Sequence, residues 1–252
     1  MRPLTAHLLG TFRVTVDGNL VDTVSSRLTR HLIAYLLAHR QAPVPRDVLM
    51  DAFWPGVAPA SARNRLHVAL SRARGVFRAA CREPVIERRF DAYRIAGSFD
   101  VWIDVEQFEQ TCAAGQAADR AGDTAAAAHH YEAACQLYED DFLAEDPYAE
   151  WTLEHKDRLR LLAVEILSRL VEIYAGRHDY GLACLLARRI LAMDPCNEQV
   201  ALRLMKSYAG SGQRHLALRQ YHQMTETLWE NLGVRPSAET AALYEQLRRH
   251  RG

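Results

Sequence analysis

Residues 61–78, SARNRLHVALSRARGVFR, carry the side chains with the clearest chemical purpose. Leu66, Leu70, Ala73 and Phe77 recur at i, i+4, i+7 and i+11, which predicts a helix with one packed face. At 100° per residue the opposite face holds Asn64, Val68, Ser71, Arg72 and Gly75, with Arg65, His67, Arg74 and Arg78 on its flanks. Those residue types suit a DNA major groove. Arg clamps guanine O6 and N7, Asn pairs with adenine, and Val meets a thymine methyl. Asn64, Arg65, Val68, Ser71 and Arg72 are therefore the candidate base readers. His67, Arg74 and Arg78, with Arg27 and Arg30 on the first helix, are candidate phosphate contacts, which fix register without specifying sequence. Gly75 leaves room for close approach to a strand. The competing reading is an Arg-rich, solvated surface helix.

The remaining reactive residues form no comparable pattern. His129 and His130 are adjacent, so on a helix they point about 100° apart and do not share an ion easily. No HExxH, P-loop, GxGxxG or GxSxG string occurs, so no metal, cofactor or catalytic residue is expected. Glu139-Asp140-Asp141, beside Phe142-Leu143, reads as a solvated loop. The five cysteines form no CxxC pair, as expected of reduced thiols in a cytoplasmic protein. No apolar run approaches a membrane span, and MRPLTAHLLGTF is too quickly polar for a secretion signal.

The elements that must position the 61–78 helix follow from charge and pattern. Residues 1–100 hold 15 Arg against 8 acidic residues; the rest hold 16 basic residues against 23 acidic ones. Two modules of opposite sign are expected, with the polyanion partner on the basic one. HLLGTFRVTVDGNLV alternates and breaks at Asp17-Gly18, which predicts strands near 6–16 and 19–22. Helices follow at about 27–39 and 46–54, separated by Pro43 and Pro45. Ser61 is placed to cap the third helix. PVIERRFDAYRI predicts two short strands turning at Asp91-Ala92. Strands, three helices and a hairpin make an α+β winged helix-turn-helix domain, residues 1–100, with 61–78 as its recognition helix.

From about residue 104 the pattern is helical throughout, giving an all-α tetratricopeptide-like helical-repeat domain over 101–252. Asp104-x-x-Gln107 reads as a capping box, opening a helix to near Gly122. A second helix runs to about 139, and Asp146-Pro147 is expected to start a long one ending near 175. Further breaks fall at Gly176, Pro195, Gly212 and Gly233-Val-Arg-Pro236. Tyr174, Gly176 and Ala183 recur 34 residues later as Tyr208, Gly210 and Ala217, a tetratricopeptide period, and RAGDTAAAAHHYEAA is a degenerate third copy. Trp102, Tyr131, Tyr138, Tyr148, Trp151, Tyr174, Tyr180, Tyr208, Tyr221 and Trp229 are expected mostly between helices, a minority lining a groove.

Four strings carry a family resemblance: FWPGVAPASARNRLHVALSRAR, FDVWIDVEQFE, FLAEDPYAEW and ALRQYHQMTETLWENLGVRPSAETAALYEQL. With these, nearly all of residues 4–250 resembles the Streptomyces antibiotic regulatory protein family, a response-regulator-type winged helix followed by a bacterial transcriptional activation domain. The resemblance implies a transcriptional activator with double-stranded promoter DNA and RNA polymerase as partners, acting as a homodimer or in tandem on direct repeats. It also implies that the loop Trp54-Pro55-Gly56-Val57 touches polymerase through Trp54, Gly56 and Val57; the alternative for Trp54 is a core anchor. The family's wing turn carries glycine before tyrosine. This chain has Arg89-Phe90-Asp91-Ala92-Tyr93 there, so Arg88 and Arg89 stand as wing phosphate contacts on an unusual turn. No receiver, ATPase or forkhead-type input module is recognisable. The rival readings are a helical adaptor whose basic module binds an acidic protein, and a sensor with a peptide or small molecule in its groove.

Overall fold

The computed structural model describes residues 1–21 and 26–249. The chain divides into two compact units. The first comprises residues 1–110 and 137–157, the second 111–136 and 158–252. The first unit thus reaches beyond the expected boundary at residue 100 and takes in a later segment of the chain.

The first unit is an α+β winged helix-turn-helix. Its four-stranded sheet has the order β3-β2-β1-β7: β1 (Arg2–His7), β2 (Arg13–Val16) and β3 (Asn19–Leu20) are antiparallel, and β7 (Phe99–Ile103) runs parallel to β1. Leu4, Ala6, Val14 and Val16 alternate inward and are fully buried. The single strand expected over 6–16 is two strands, because the chain bends at Gly10, φ +87°. Asp17 and Gly18 both take positive φ, +51° and +79°, which closes a two-residue hairpin between Val16 and Asn19. The expected end of that second strand, Asp22, lies outside the described residues.

Helix α1 (Arg27–Ala38) is capped by Ser26 and buries Leu32, Ile33, Leu36 and Leu37. Strand β4 (Val44–Pro45) and α2 (Arg46–Phe53) lead to α3 (Pro59–Ala80). Ser61 is not the cap of α3: the helix starts two residues earlier, with Pro59 in its first turn. Strands β5 (Ile86–Arg89) and β6 (Ala92–Ile95) complete a second sheet, β4-β6-β5. Arg89 pairs with Ala92, so the hairpin turns at Phe90-Asp91, one residue earlier than expected.

Two carboxylates do work that a capping pattern misassigns. Asp104 opens α4 (Asp104–Arg120), but its carboxylate accepts from Leu8 N, Leu9 N and Val105 N at 2.8–2.9 Å, tying the end of β1 to the helix; Gln107 turns to Gln110 instead. Asp146-Pro147 starts no helix. Asp146 is occupied by α1, so the chain enters α6 (Leu153–Gly176) only after a 3-10 turn at Glu150–Thr152. The acidic run is the solvated loop expected, with Glu139 and Asp140 exposed, but the chain turns inward straight after it. Phe142 and Leu143 are buried, and residues 141–144 hydrogen-bond to 8–10.

The second unit is a tetratricopeptide-like stack of helix hairpins. It holds the rest of α4, α5 (Thr124–Leu137), the rest of α6, α7 (Tyr180–Met193), α8 (Glu198–Gly210), α9 (Arg214–Leu232) and α10 (Ala238–Arg249). Ala183 and Ala217 sit at equivalent positions of the repeat, both fully buried in the core with Leu167, Ile190, Leu204 and Tyr208. The turns repeat as well: Gly122, His178 and Gly212 each take a left-handed φ. Tyr131, Tyr138 and Tyr208 are buried as expected, whereas Tyr148 and Trp229 are exposed.

Two helical glycines separate packing from propensity. A Cβ on Gly115 would lie 2.5 Å from Tyr131 Cε1, whereas one on Gly75 would meet nothing within 4 Å. Gly115→Ala should destabilise by roughly 1–3 kcal/mol, and Gly75→Ala should stabilise by roughly 0.5–1 kcal/mol. Denaturant titrations of both variants check the opposite signs.

Candidate nucleic-acid interface

Packing of α3 determines which residues it offers to solvent. Leu66, Leu70, Ala73 and Phe77 are all essentially inaccessible, as are Ala62 and Ala69. Asn64, Arg65, His67, Ser71, Arg72 and Arg78 consequently lie exposed, and Val68 keeps 51% of its surface in water. None of these side chains engages in a hydrogen bond or ion pair with another described residue. Arg63 is exposed and unpaired in the same way. The sequence reading omitted it, although 100° spacing puts it on the flank shared by His67 and Arg74.

The other candidate cations have partners. Arg74 Nε donates to Ile86 O at 3.2 Å, and its guanidinium lies 5.9 Å from the Tyr93 ring centroid. It fastens the β5–β6 hairpin to α3. Arg88 donates to Phe90 O at 2.7 Å and to Asp91 Oδ1 at 2.8 Å, bracing the hairpin turn. Arg89 keeps an exposed guanidinium 3.6 Å from Glu87. Between α2 and α3, Trp54 is half-buried with its ring 5.9 Å from that of Phe53, while Gly56, φ +73°, is exposed. Val57 N closes the turn on Trp54 O at 3.2 Å.

Arg27 and Arg30 converge on Asp146. Arg27 Nε lies 2.8 Å from its Oδ1, and Arg30 Nη2 lies 2.7 Å from its Oδ2 while Nη1 reaches Glu145 at 3.1 Å. Their charge is matched internally, which takes them out of the set of free cations. His31 is buried beside them. Its Nδ1 accepts from Trp151 Nε1 at 3.0 Å, and its Nε2 lies 2.8 Å from Asp146 Oδ2 without a well-aligned hydrogen bond. Lys156 Nζ donates to Asp146 O at 2.8 Å. Burial holds the His31 imidazole below its ordinary pKa against the pull of Asp146, and Arg27 and Arg30 add to the lowering. Burial raises the Asp146 carboxyl, but Arg30 and His31 more than offset it and hold it below its ordinary value. Sequence reasoning missed this cluster because its members are more than 100 residues apart in the chain. Among the described residues no group of His, Cys, Asp or Glu is arranged to hold a metal.

A winged helix with an exposed polar face on α3, and a stack of helix hairpins after it, define a two-part architecture. The chain belongs to the bacterial transcriptional activator domain family, whose model matches residues 103–248. Proteins it is similar to include transcriptional regulatory proteins of Mycobacterium and regulatory proteins of Streptomyces, in line with the resemblance read from the sequence. The transcriptional regulatory protein EmbR of Mycobacterium tuberculosis is 28% identical over 251 residues, covering 96% of this chain and 62% of EmbR. The chain therefore spans less than two thirds of that relative. The regulatory protein DnrI of Streptomyces peucetius is 26% identical, covering 96% of this chain and 91% of DnrI. A solved structure of M. tuberculosis EmbR in complex with a low-affinity phosphopeptide matches with a TM-score of 0.77 at 24% identity, over 99% of this chain and 66% of that one. This likeness shows the fold.

The Asp146 cluster makes stability pH-dependent in two windows. His31 has a folded pKa below its ordinary 6.5, so below about pH 6.5 the unfolded chain takes up a proton that the folded chain refuses, and stability falls. Asp146 keeps its contribution above its ordinary 3.8 and loses it only as pH drops through the lower folded value. Chemical denaturation from about pH 7 to about pH 5 should show a decline that His31→Gln reduces. Parallel pH profiles for variant and wild type would contradict this role.

Proposed function

We propose that this chain binds double-stranded promoter DNA sequence-specifically and activates transcription. The observation that carries this reading is the outer face of α3, where Asn64, Arg65, Val68, Ser71 and Arg72 are exposed and have no partner among the described residues. Unpaired guanidinium groups cost little to bring to a polyanion, because no internal ion pair must break first. Asn64 to Arg72 spans about 12 Å of helix axis, the rise of roughly three to four stacked base pairs. Asn64, Val68, Ser71 and Arg72 read bases, with Arg65 at the edge of the same face. His67 and Arg78, with Arg63, hold phosphates. Arg74 serves DNA indirectly, by fixing the hairpin, and Arg27 and Arg30 serve by orienting α1.

The family membership supports a partner in the transcription machinery. The Trp54-Pro55-Gly56-Val57 loop is our candidate for contact with RNA polymerase: its Gly56 end is exposed while Trp54 anchors its base. The helical repeats supply protein contacts, including pairing of two copies or tandem occupancy of direct repeats. Such work belongs in the cytoplasm; no helix among the described residues is long and apolar enough to cross a membrane.

The test is a titration of duplex DNA, selected from a random pool, by the full chain across a salt series. With about six phosphates neutralised, the log–log slope should be roughly −5. Arg72→Ala should cost about 1–3 kcal/mol on the selected site and relax preference at one base pair. Arg78→Ala should weaken selected and scrambled DNA alike and reduce the slope by about one. Equal loss on both DNAs for Arg72→Ala would overturn the groove-facing assignment. A chain that binds no duplex even at low salt would favour the adaptor reading.

A further inference from the structure

The β5–β6 hairpin ends in a feature that folding alone does not explain. Phe90 is the first residue of its two-residue turn and takes φ +55°, a region that penalises any side chain with a Cβ. Glycine, asparagine or aspartate fills such a position at low cost. Here it holds a phenylalanine that is 97% exposed. The chain therefore carries two penalties at one residue, a disfavoured backbone and a hydrated ring, and the fold gains no packing from either.

The tip is also held firmly. Asp91 O accepts from Arg46 N at 2.7 Å, and Asp91 Oδ1 takes Arg88 Nη2 at 2.8 Å and Arg46 Nη1 at 3.4 Å. Arg88 Nε fixes Phe90 O at 2.7 Å. At the base of the hairpin, Arg74 ties Ile86 O to the flank of α3. The ring is thus presented from a braced turn, beside the exposed Arg88 and Arg89, at a set place relative to the recognition helix. A stiff aromatic tip flanked by guanidinium groups matches a polyanion with an apolar interior.

We propose that Phe90 is an apolar wedge that enters the DNA minor groove beside the major groove occupied by α3. There it presses on a base step, partly unstacks it and bends the duplex. Such wedges act best at flexible pyrimidine–purine steps, so Phe90 adds preference for deformable sequence at a position α3 does not touch. This inference rests on the DNA-binding reading above.

The experiment uses the full chain and an end-labelled duplex containing the selected site, read by energy transfer between its ends and by anisotropy. Wild type should shorten the end-to-end distance on binding. Phe90→Ala should abolish the shortening and weaken the selected site about tenfold, with the salt slope unchanged because no phosphate contact is lost. Phe90→Trp should keep the bend. Phe90→Gly should lose the bend while raising thermal stability, which separates relief of backbone strain from loss of the ring. Wild-type bending and affinity in Phe90→Ala would overturn the wedge while leaving DNA binding by α3 intact. A wild-type chain that binds no duplex would overturn the DNA reading first, and the wedge with it.

Discussion

Burial of Leu66, Leu70, Ala73 and Phe77 fixes the rotation of α3 about its own axis, and the candidate interface depends on that rotation. An apolar stripe 180° away from Asn64, Val68, Ser71 and Arg72 leaves those residues nowhere to go but outward. Turning the helix by one residue, 100°, would put Phe77 into water and Arg78 or Arg65 toward the core. Transferring one phenylalanine alone costs roughly 1.5–3 kcal/mol, and burying an unpaired guanidinium costs more. Arg74 extends the constraint, since its bond to Ile86 O sets the hairpin against the same helix. One packing decision thus orients both the exposed polar face of α3 and the braced tip at Phe90.

Two buried carboxylates hold the surrounding scaffold to that helix bundle. Asp104 accepts three backbone N–H groups, two of them from the end of β1, so a strand end and a helix start share one charge. Burial pushes its carboxyl pKa up in spite of those donors. Asp146 performs the corresponding task for α1, gathering Arg27, Arg30 and His31. Together they explain why residues 104–110 and 137–157 join the first compact unit although the family model for the helical domain begins at residue 103. Domain identity by descent and compactness by contact are different partitions of this chain.

Much of this was legible in the sequence. Local periodicity located α1, α2 and α3 within a residue or two, because each is amphipathic and bounded by proline or a capping residue. The 34-residue recurrence correctly paired Ala183 with Ala217, because close helix approach admits only a small side chain there. The misses were long-range or conformational. Asp146-Pro147 has the composition of a helix start, but tertiary ion pairs claimed the aspartate. Asp104 and Gln107 fit a capping box, but β1 took the carboxylate. The sequence pattern puts the wing turn at Asp91-Ala92, whereas strand pairing puts it at Phe90-Asp91 with the positive φ on Phe90. Within the site, exposure of the α3 face was predictable. Which arginines remain free was not, since Arg27, Arg30 and Arg74 find partners that pattern alone does not reveal.

The central claim is that α3 reads base edges in a major groove. Interference by guanine N7 methylation tests it most directly, because the added methyl sits in that groove at the atom an arginine would clamp. Wild-type protein should reject DNA methylated at one or two discrete guanines of the selected site, and Arg72→Ala should become indifferent to one of them. Binding that ignores N7 methylation throughout the site would contradict the account.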